Sequence, residues 1–103
     1  MEFLVWARRT SNEPHLQEEL EQTKQGIRQF KSDRRTKAMY GLAGEKDGFL
    51  ICEVDTANEL NQYLNLNPTA AYNEWEVHPL VTMEEVVSLF DMAERHLEAE
   101  EAA

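Results

Sequence analysis

Tyr72, Glu74, Glu76 and His78 recur at every second position, and a period of two puts all four side chains on one side of a strand. Facing a cavity, two carboxylates and an imidazole could act as acid and base in a proton transfer, because burial moves such groups toward neutral pKa values. On an exposed edge strand the same residues are ordinary solvated charges. Trp75 and Val77 already give this strand an apolar face, which weighs toward the solvated reading. Arg8 alternates with Leu4 and Trp6, so it either anchors a carboxylate by bidentate hydrogen bonding or pairs with one of the many glutamates. Lys24, Arg28, Lys31, Arg34, Arg35 and Lys37 gather around the end of one helical segment. They complement the helix dipole and an acidic neighbouring surface, or they receive an anionic ligand or acidic partner. His15 with Glu18 and Glu19, and His96 beside the acidic tail, are too few for a metal site. Cys52 lies in a run apolar on both faces and reads as core rather than nucleophile. With no Gly-rich phosphate loop, nucleophile elbow or Cys-x-x-Cys, neither a metal nor a cofactor is expected.

These side chains need elements to position them. Residues 2 to 9 form a strand apolar on both faces, followed by a turn at Ser11-Asn12-Glu13-Pro14. Leu16, Leu20, Ile27 and Phe30 then recur at helical spacing, predicting a helix over 14 to 31. Strands are predicted at 36 to 43 and 49 to 54, joined by a hairpin whose Gly44 and Asp47-Gly48 can supply positive φ. Thr56-Ala57-Asn58-Glu59 reads as a capping box opening a short helix that ends before Pro68, and residues 71 to 77 form the last strand. The order βαββαβ predicts an α+β, ferredoxin-like sheet with two helices on one face. Leu4, Trp6, Leu50 and Cys52 are assigned to the other face, where a second sheet would have to cover them. The expected fold is therefore a dimeric α/β barrel spanning residues 1 to 81. Residues 82 to 103 add a C-terminal helix and acidic tail. Its capping box is Thr82-Met83-Glu84-Glu85, and Met83, Val86, Phe90, Ala93 and Leu97 step by three and four as a coiled-coil seam does. Such a seam is expected to bury against a neighbour.

Composition narrows the classes. The chain has 103 residues, 42% of them hydrophobic, so it forms one small domain that buries only about two thirds of its unfolded surface and gains from a partner subunit. Twenty acidic against ten basic side chains leave a net charge of -10, which excludes sequence-independent nucleic-acid binding and attraction to anionic membranes. A lone cysteine, no apolar run near the ~20 residues of a membrane span and no signal pattern predict a cytoplasmic protein.

Glu53-Val54-Asp55, Asn58-Glu59-Leu60, Pro68 and the run Tyr72-Asn73-Glu74-Trp75-Glu76-Val77-His78-Pro79-Leu80 resemble the muconolactone isomerase family. The likeness covers about a third of the chain, from 47 to 80. It implies a dimeric α+β barrel that assembles into larger rings and moves a double bond of an unsaturated lactone by proton transfer, without a cofactor. Glu74, Glu76 and His78 are then the acid and base candidates. Arg8 becomes the substrate anchor, and Trp6, Tyr40 and Tyr72 the pocket wall. The segment Asn65-Leu66-Asn67-Pro68-Thr69-Ala70-Ala71 departs from the apolar stretch of the isomerases, and no catalytic role transfers to Glu21 or Lys24. The leading expectation is a homo-oligomer that binds a small unsaturated carboxylate or lactone and, if active, isomerises it. The alternative is a non-catalytic scaffold whose C-terminal helix recruits a partner.

Overall fold

The computed structural model describes residues 1–11, 13 and 16–102. Strand β1 (Glu2–Arg9) pairs antiparallel with β3 (Gly48–Glu53) on one side and β4 (Asn73–Pro79) on the other. Strand β2 (Thr36–Gly41) pairs with β3, giving the sheet order β2-β3-β1-β4. Helices α1 (Gln17–Ser32) and α2 (Ala57–Asn65) lie on one face, with a 3-10 turn at Pro68–Ala71 between α2 and β4. This is the expected ferredoxin-like α+β topology.

Residues opposite one another in an antiparallel ladder share a face. Val5 therefore joins its partners Leu50 and Val77, and Phe3 its partner Cys52, on the helix side. Val5, Leu50 and Cys52 pack there with Phe30, Tyr63 and Leu64. Phe30 lies 5.0 Å from the Tyr63 ring and meets Trp75 edge-on at 6.2 Å.

The same register corrects the face assignment made from sequence. Leu50 and Cys52 belong to the helix side, and the residues beside Leu4 and Trp6 on the other face are Ile51 and Phe49. That face is sheltered within one chain: Trp6 stacks on Phe49 at 6.1 Å, and Tyr40 tilts against Phe49 at 5.4 Å. Leu4, Trp6, Phe49 and Ile51 are consequently half-buried. The expected dimeric α/β barrel is corrected accordingly. The sheet is open and uncurled, with β2 and β4 as free edges, because the aromatic row covers much of the apolar surface that closure was expected to hide.

Local signals held with shifts. Thr56 Oγ1 accepts from the Glu59 amide at 3.0 Å, while the Glu59 carboxylate accepts from the amide of Asp55, one residue earlier than a regular capping box requires. Thr82 caps the last helix through the Glu85 amide at 3.1 Å. In the β2–β3 hairpin the positive φ falls on Gly44, at 78°. Gly48 is instead a strand residue where a Cβ would meet the Tyr40 carbonyl oxygen at 2.9 Å. The last strand begins at Asn73, not 71, because Asn67 caps the 3-10 turn and Tyr72 closes it. Of the predicted turn at 11 to 14 and helix start at Pro14, the residues Asn12 and Pro14 lie outside the described residues, as does His15.

Helix α3 (Met83–Ala102) has no buried residue. The radius of gyration is 18.8 Å, against about 13 Å for a compact chain of this length, because α3 projects from the body. Within its own chain the seam thus stays largely open, with Val86 alone of its residues partly covered. Among the described residues no helix is long and apolar enough to cross a membrane.

Candidate functional site

Two places gather chemistry, one on each side of the sheet. On the open face, Arg8, Glu74, Glu76 and His78 come together because β1 and β4 are neighbours in register: Arg8 lies opposite Glu74, Trp6 opposite Glu76, and Leu4 opposite His78. The Glu76 carboxylate stands 3.4 Å from the Arg8 guanidinium and 3.4 Å from His78 Nε2. Arg8 also lies over the Trp6 ring, 6.0 Å from its centroid. Arg8, Glu76 and His78 are each about half exposed. Tyr40 is on β2, beyond Phe49, and is 61% exposed. Tyr72 sits outside the strand, its carbonyl accepting from the Thr10 amide at 3.0 Å.

On the helix side a cleft of about 450 Å³ opens between α1, the β2–β3 hairpin and the sheet. Small-ligand sites span about 300–1,000 Å³. Its floor is Val5 and Leu50, its walls include Phe30, Met39 and Trp75, Tyr40 borders it from β2, and its polar members are Thr23, Lys31, Glu45, Lys46, Asp47, Thr69 and Asn73. The sequence places these residues by simple rules. Trp75 and Asn73 alternate onto the helix face of β4, and Thr23, Ile27 and Phe30 follow the helical period along α1. Asp47 is held at the hairpin by Arg9 and Trp6, its two oxygens accepting from the Arg9 amide at 3.4 Å and from Trp6 Nε1 at 3.5 Å. Arg9 is itself fixed by Glu19 of α1, through contacts of 2.7 and 3.1 Å, which ties the cleft end of β1 to the helix. Asn73 Nδ2 donates to the Thr69 carbonyl at 3.0 Å. Among the described residues, Trp75 Nε1 is the buried side-chain polar atom with no hydrogen-bond partner. A buried donor left unpaired is costly, so this indole is held in place by the packing around it rather than by a hydrogen bond.

Of the residues expected to form the site, only Tyr40 lines this cleft. Sequence reasoning did not select Trp75, Asp47 or Thr23, although Trp75 lay inside the run that carried the family resemblance, and it named Lys31 only within the basic cluster. The signal available was its alternation out of step with the charged residues, which placed it among the helices.

The basic cluster divides. Arg35 is held by Asp33 at 2.7 Å and faces Glu59 at 3.7 Å, and Lys37 faces Glu53 at 3.6 Å. The Arg35 guanidinium holds the Asp33 carboxyl below its usual range. Lys24, Arg28, Lys31 and Arg34 are exposed and make no ion pair among the described residues. No group of three or more His, Cys, Asp or Glu side chains among the described residues could hold a metal ion.

No curated protein matches the sequence. Among solved structures, 5-chloro-2-hydroxyhydroquinone dehydrochlorinase from Burkholderia phenoliruptrix AC1100, in complex with 2,5-dihydroxybenzoquinone, is similar with a TM-score of 0.56. The identity is 16%, over 79% of this chain and 94% of that one, and it establishes a shared fold. Residues 1–94 match the model of the family described as a domain of unknown function, DUF3303, and this chain belongs to that family.

Proposed function

We propose that this protein binds a small, planar, unsaturated ring carrying a carboxylate or lactone oxygen in the cleft beneath α1, and that its activity, if it has one, is a cofactor-free proton shift within that ring. The carrying observation is the cleft itself: aromatic and aliphatic walls, with Lys31 and Lys46 among its lining residues beside Glu45 and Asp47. A flat apolar ring suits the walls, and an anionic oxygen suits the lysines. Asp47 and Glu45, also in the lining, are the carboxylates available to exchange a proton with such a ring. The resemblance of residues 72 to 80 to muconolactone isomerases supports this ligand class. So does the structurally similar dehydrochlorinase, whose described complex holds a dihydroxybenzoquinone. We place the protein in the cytoplasm as a homo-oligomer, where the lone buried Cys52 remains a thiol.

A second reading rests on a separate observation, the convergence of Arg8 and His78 on one Glu76 oxygen. There Glu74, Glu76 and His78 would be acid and base, Arg8 the anchor, and Trp6, Tyr40 and Tyr72 the neighbouring wall. Titration with unsaturated carboxylates and lactones, followed by tryptophan fluorescence and by ultraviolet absorbance for isomerisation, separates the two. The cleft reading expects Ile27→Trp and Lys31→Ala to weaken binding and Glu74→Gln and Glu76→Gln to leave it intact. Loss of turnover of roughly 100-fold or more in Glu74→Gln or Glu76→Gln, with the cleft variants unaffected, would move the chemistry to the open face. Absence of binding across the series would overturn both and favour the non-catalytic scaffold.

A further inference from the structure

The projecting helix and the unpaired lysines and arginine of α1 are complementary. On a helix of 3.6 residues per turn, Leu20 and Ile27 of α1 fall within about 20° of one another. They are 46% and 43% exposed, an apolar stripe that the body leaves uncovered, and Leu16, the extended residue that precedes the helix, is 75% exposed. Lys31, Lys24 and Arg28 occupy the next ~80° of the helix surface, in the direction of increasing angle. On α3 the seam of Met83, Val86, Phe90, Ala93 and Leu97 spans about 80°, and Glu94, Glu98, Asp91 and Glu84 follow it in the same rotational direction. Each helix therefore carries an apolar stripe with a charged flank on the same side, basic on α1 and acidic on α3.

Two helices that face each other in parallel place such flanks on opposite sides of the contact. Antiparallel helices bring them together. We propose that α3 of one copy docks antiparallel along α1 of a second copy, its seam on the Leu20 and Ile27 stripe and its acidic flank against Lys24, Arg28 and Lys31, with the exchange reciprocated to make a two-fold dimer. The charge distribution selects this occupant. Helix α3 holds seven carboxylates against Arg95, so pairing it antiparallel with itself sets acid against acid. Six of the chain's ten basic residues lie instead between 24 and 37, and four of those have no ion-pair partner among the described residues. Lengths agree, since 16 and 20 residues make helices of about 24 and 30 Å. The family domain runs to residue 94, so most of the seam belongs to the domain. Thr23, Ile27 and Lys31 also line the cleft, so the partner's helix would lie beside its mouth.

Charge reversal on the full-length chain tests it. Lys24→Glu, Arg28→Glu and Lys31→Glu are combined in one chain, and Glu84→Lys, Asp91→Lys and Glu94→Lys in another, with light scattering and sedimentation reading the mass. The wild type is expected to be a dimer, each reversed chain to dissociate with a Kd at least tenfold higher, and the mixture of the two to recover a heterodimer. Near-ultraviolet circular dichroism verifies that both variants fold, as exposed positions should allow. A monomeric wild type at high micromolar concentration overturns the proposal, as does a dimer indifferent to the α1 reversal. Oxidation of a chain carrying Ile27→Cys and Phe90→Cys supplies a second reading: cross-linked dimers support the exchange, whereas an internal disulfide alone would show that α3 folds onto its own α1 and would refute it.

Discussion

Tyr63 illustrates how single side chains set the pH range of this fold. Its hydroxyl is hydrogen-bonded to Thr36 Oγ1, and its ring is 4% exposed between Phe30 and the Arg35 guanidinium. Burial pushes the phenol from 10.0 up to about 12, and pushes the Cys52 thiol from 9.0 up to about 11. The folded chain thus holds both protons more tightly than the unfolded chain does. Their contribution to stability is complete below pH 9 and is lost as pH rises through 11 and 12. Urea midpoints measured across this range should fall for the wild type, and Tyr63→Phe should flatten the upper part of the fall. At neutral pH the same substitution should cost about 1 kcal/mol, the net worth of one buried hydrogen bond. An unchanged pH profile in the variant would show that the phenol titrates alike in the folded and unfolded chains. At this scale the sequence was legible where alternation sufficed: Glu74, Glu76 and His78 do share one face with Arg8. The orphaned Trp75 Nε1 was not, because a missing partner is a property of everything packed around the indole.

At the scale of elements, the seating of α1 depends on a glycine that reads from sequence as a weak point in a helix. Gly26 is buried where a Cβ would lie 2.3 Å from Thr69 Cγ2 and 2.5 Å from Asn67 Oδ1. Neither atom is free to yield. Asn67 Nδ2 donates to the Gly26 carbonyl at 3.0 Å, and its Oδ1 accepts from the Thr69 amide at 2.9 Å and hydroxyl at 2.7 Å. Helix propensity alone predicts that Gly26→Ala stabilises by about 1 kcal/mol. The close packing predicts the reverse, a net loss of about 1–3 kcal/mol with a lower Tm, because overpacking must separate α1 from the 3-10 turn. Thermal and urea unfolding of this variant decide between the two. The segment 65 to 71, noted in the sequence only as a departure from a familiar pattern, proves to be the peg that holds α1 in place. Capping boxes and hairpin glycines were readable because they act within four or five residues. The Gly26–Asn67 contact spans 41 positions and has no local signature.

The whole molecule has two parts with different demands on their surroundings. The sheet body has its own core, whereas α3 buries nothing within the chain. Truncation after Val81 should therefore preserve the near-ultraviolet signal of Trp6 and Trp75 while removing the helical signal of α3, and small-angle scattering should report a radius of gyration near about 12 Å. Loss of the near-ultraviolet signal would show that the body needs α3 in order to fold. The excess of carboxylates over basic groups falls largely on this helix and its tail, which sets the field that a second copy meets.

The order of strands and helices, the caps of α2 and α3, the hairpin and the regular seam of α3 were determined by the sequence by itself, since each rests on periodicity or on contacts between near neighbours. The tertiary structure alone decided which faces those elements share. Phe49 and Leu50 are adjacent in an apolar run, and only the register of β3 against β1 sends Phe49 to Trp6 on the open side and Leu50 to Val5 in the core. A shift of one residue in that register would have exchanged them. The same registers decided that the aromatic row shelters the outer face, leaving the sheet open, and that a cleft lies beneath α1. Both outcomes depend on long-range packing, which apolar pattern permits but does not specify.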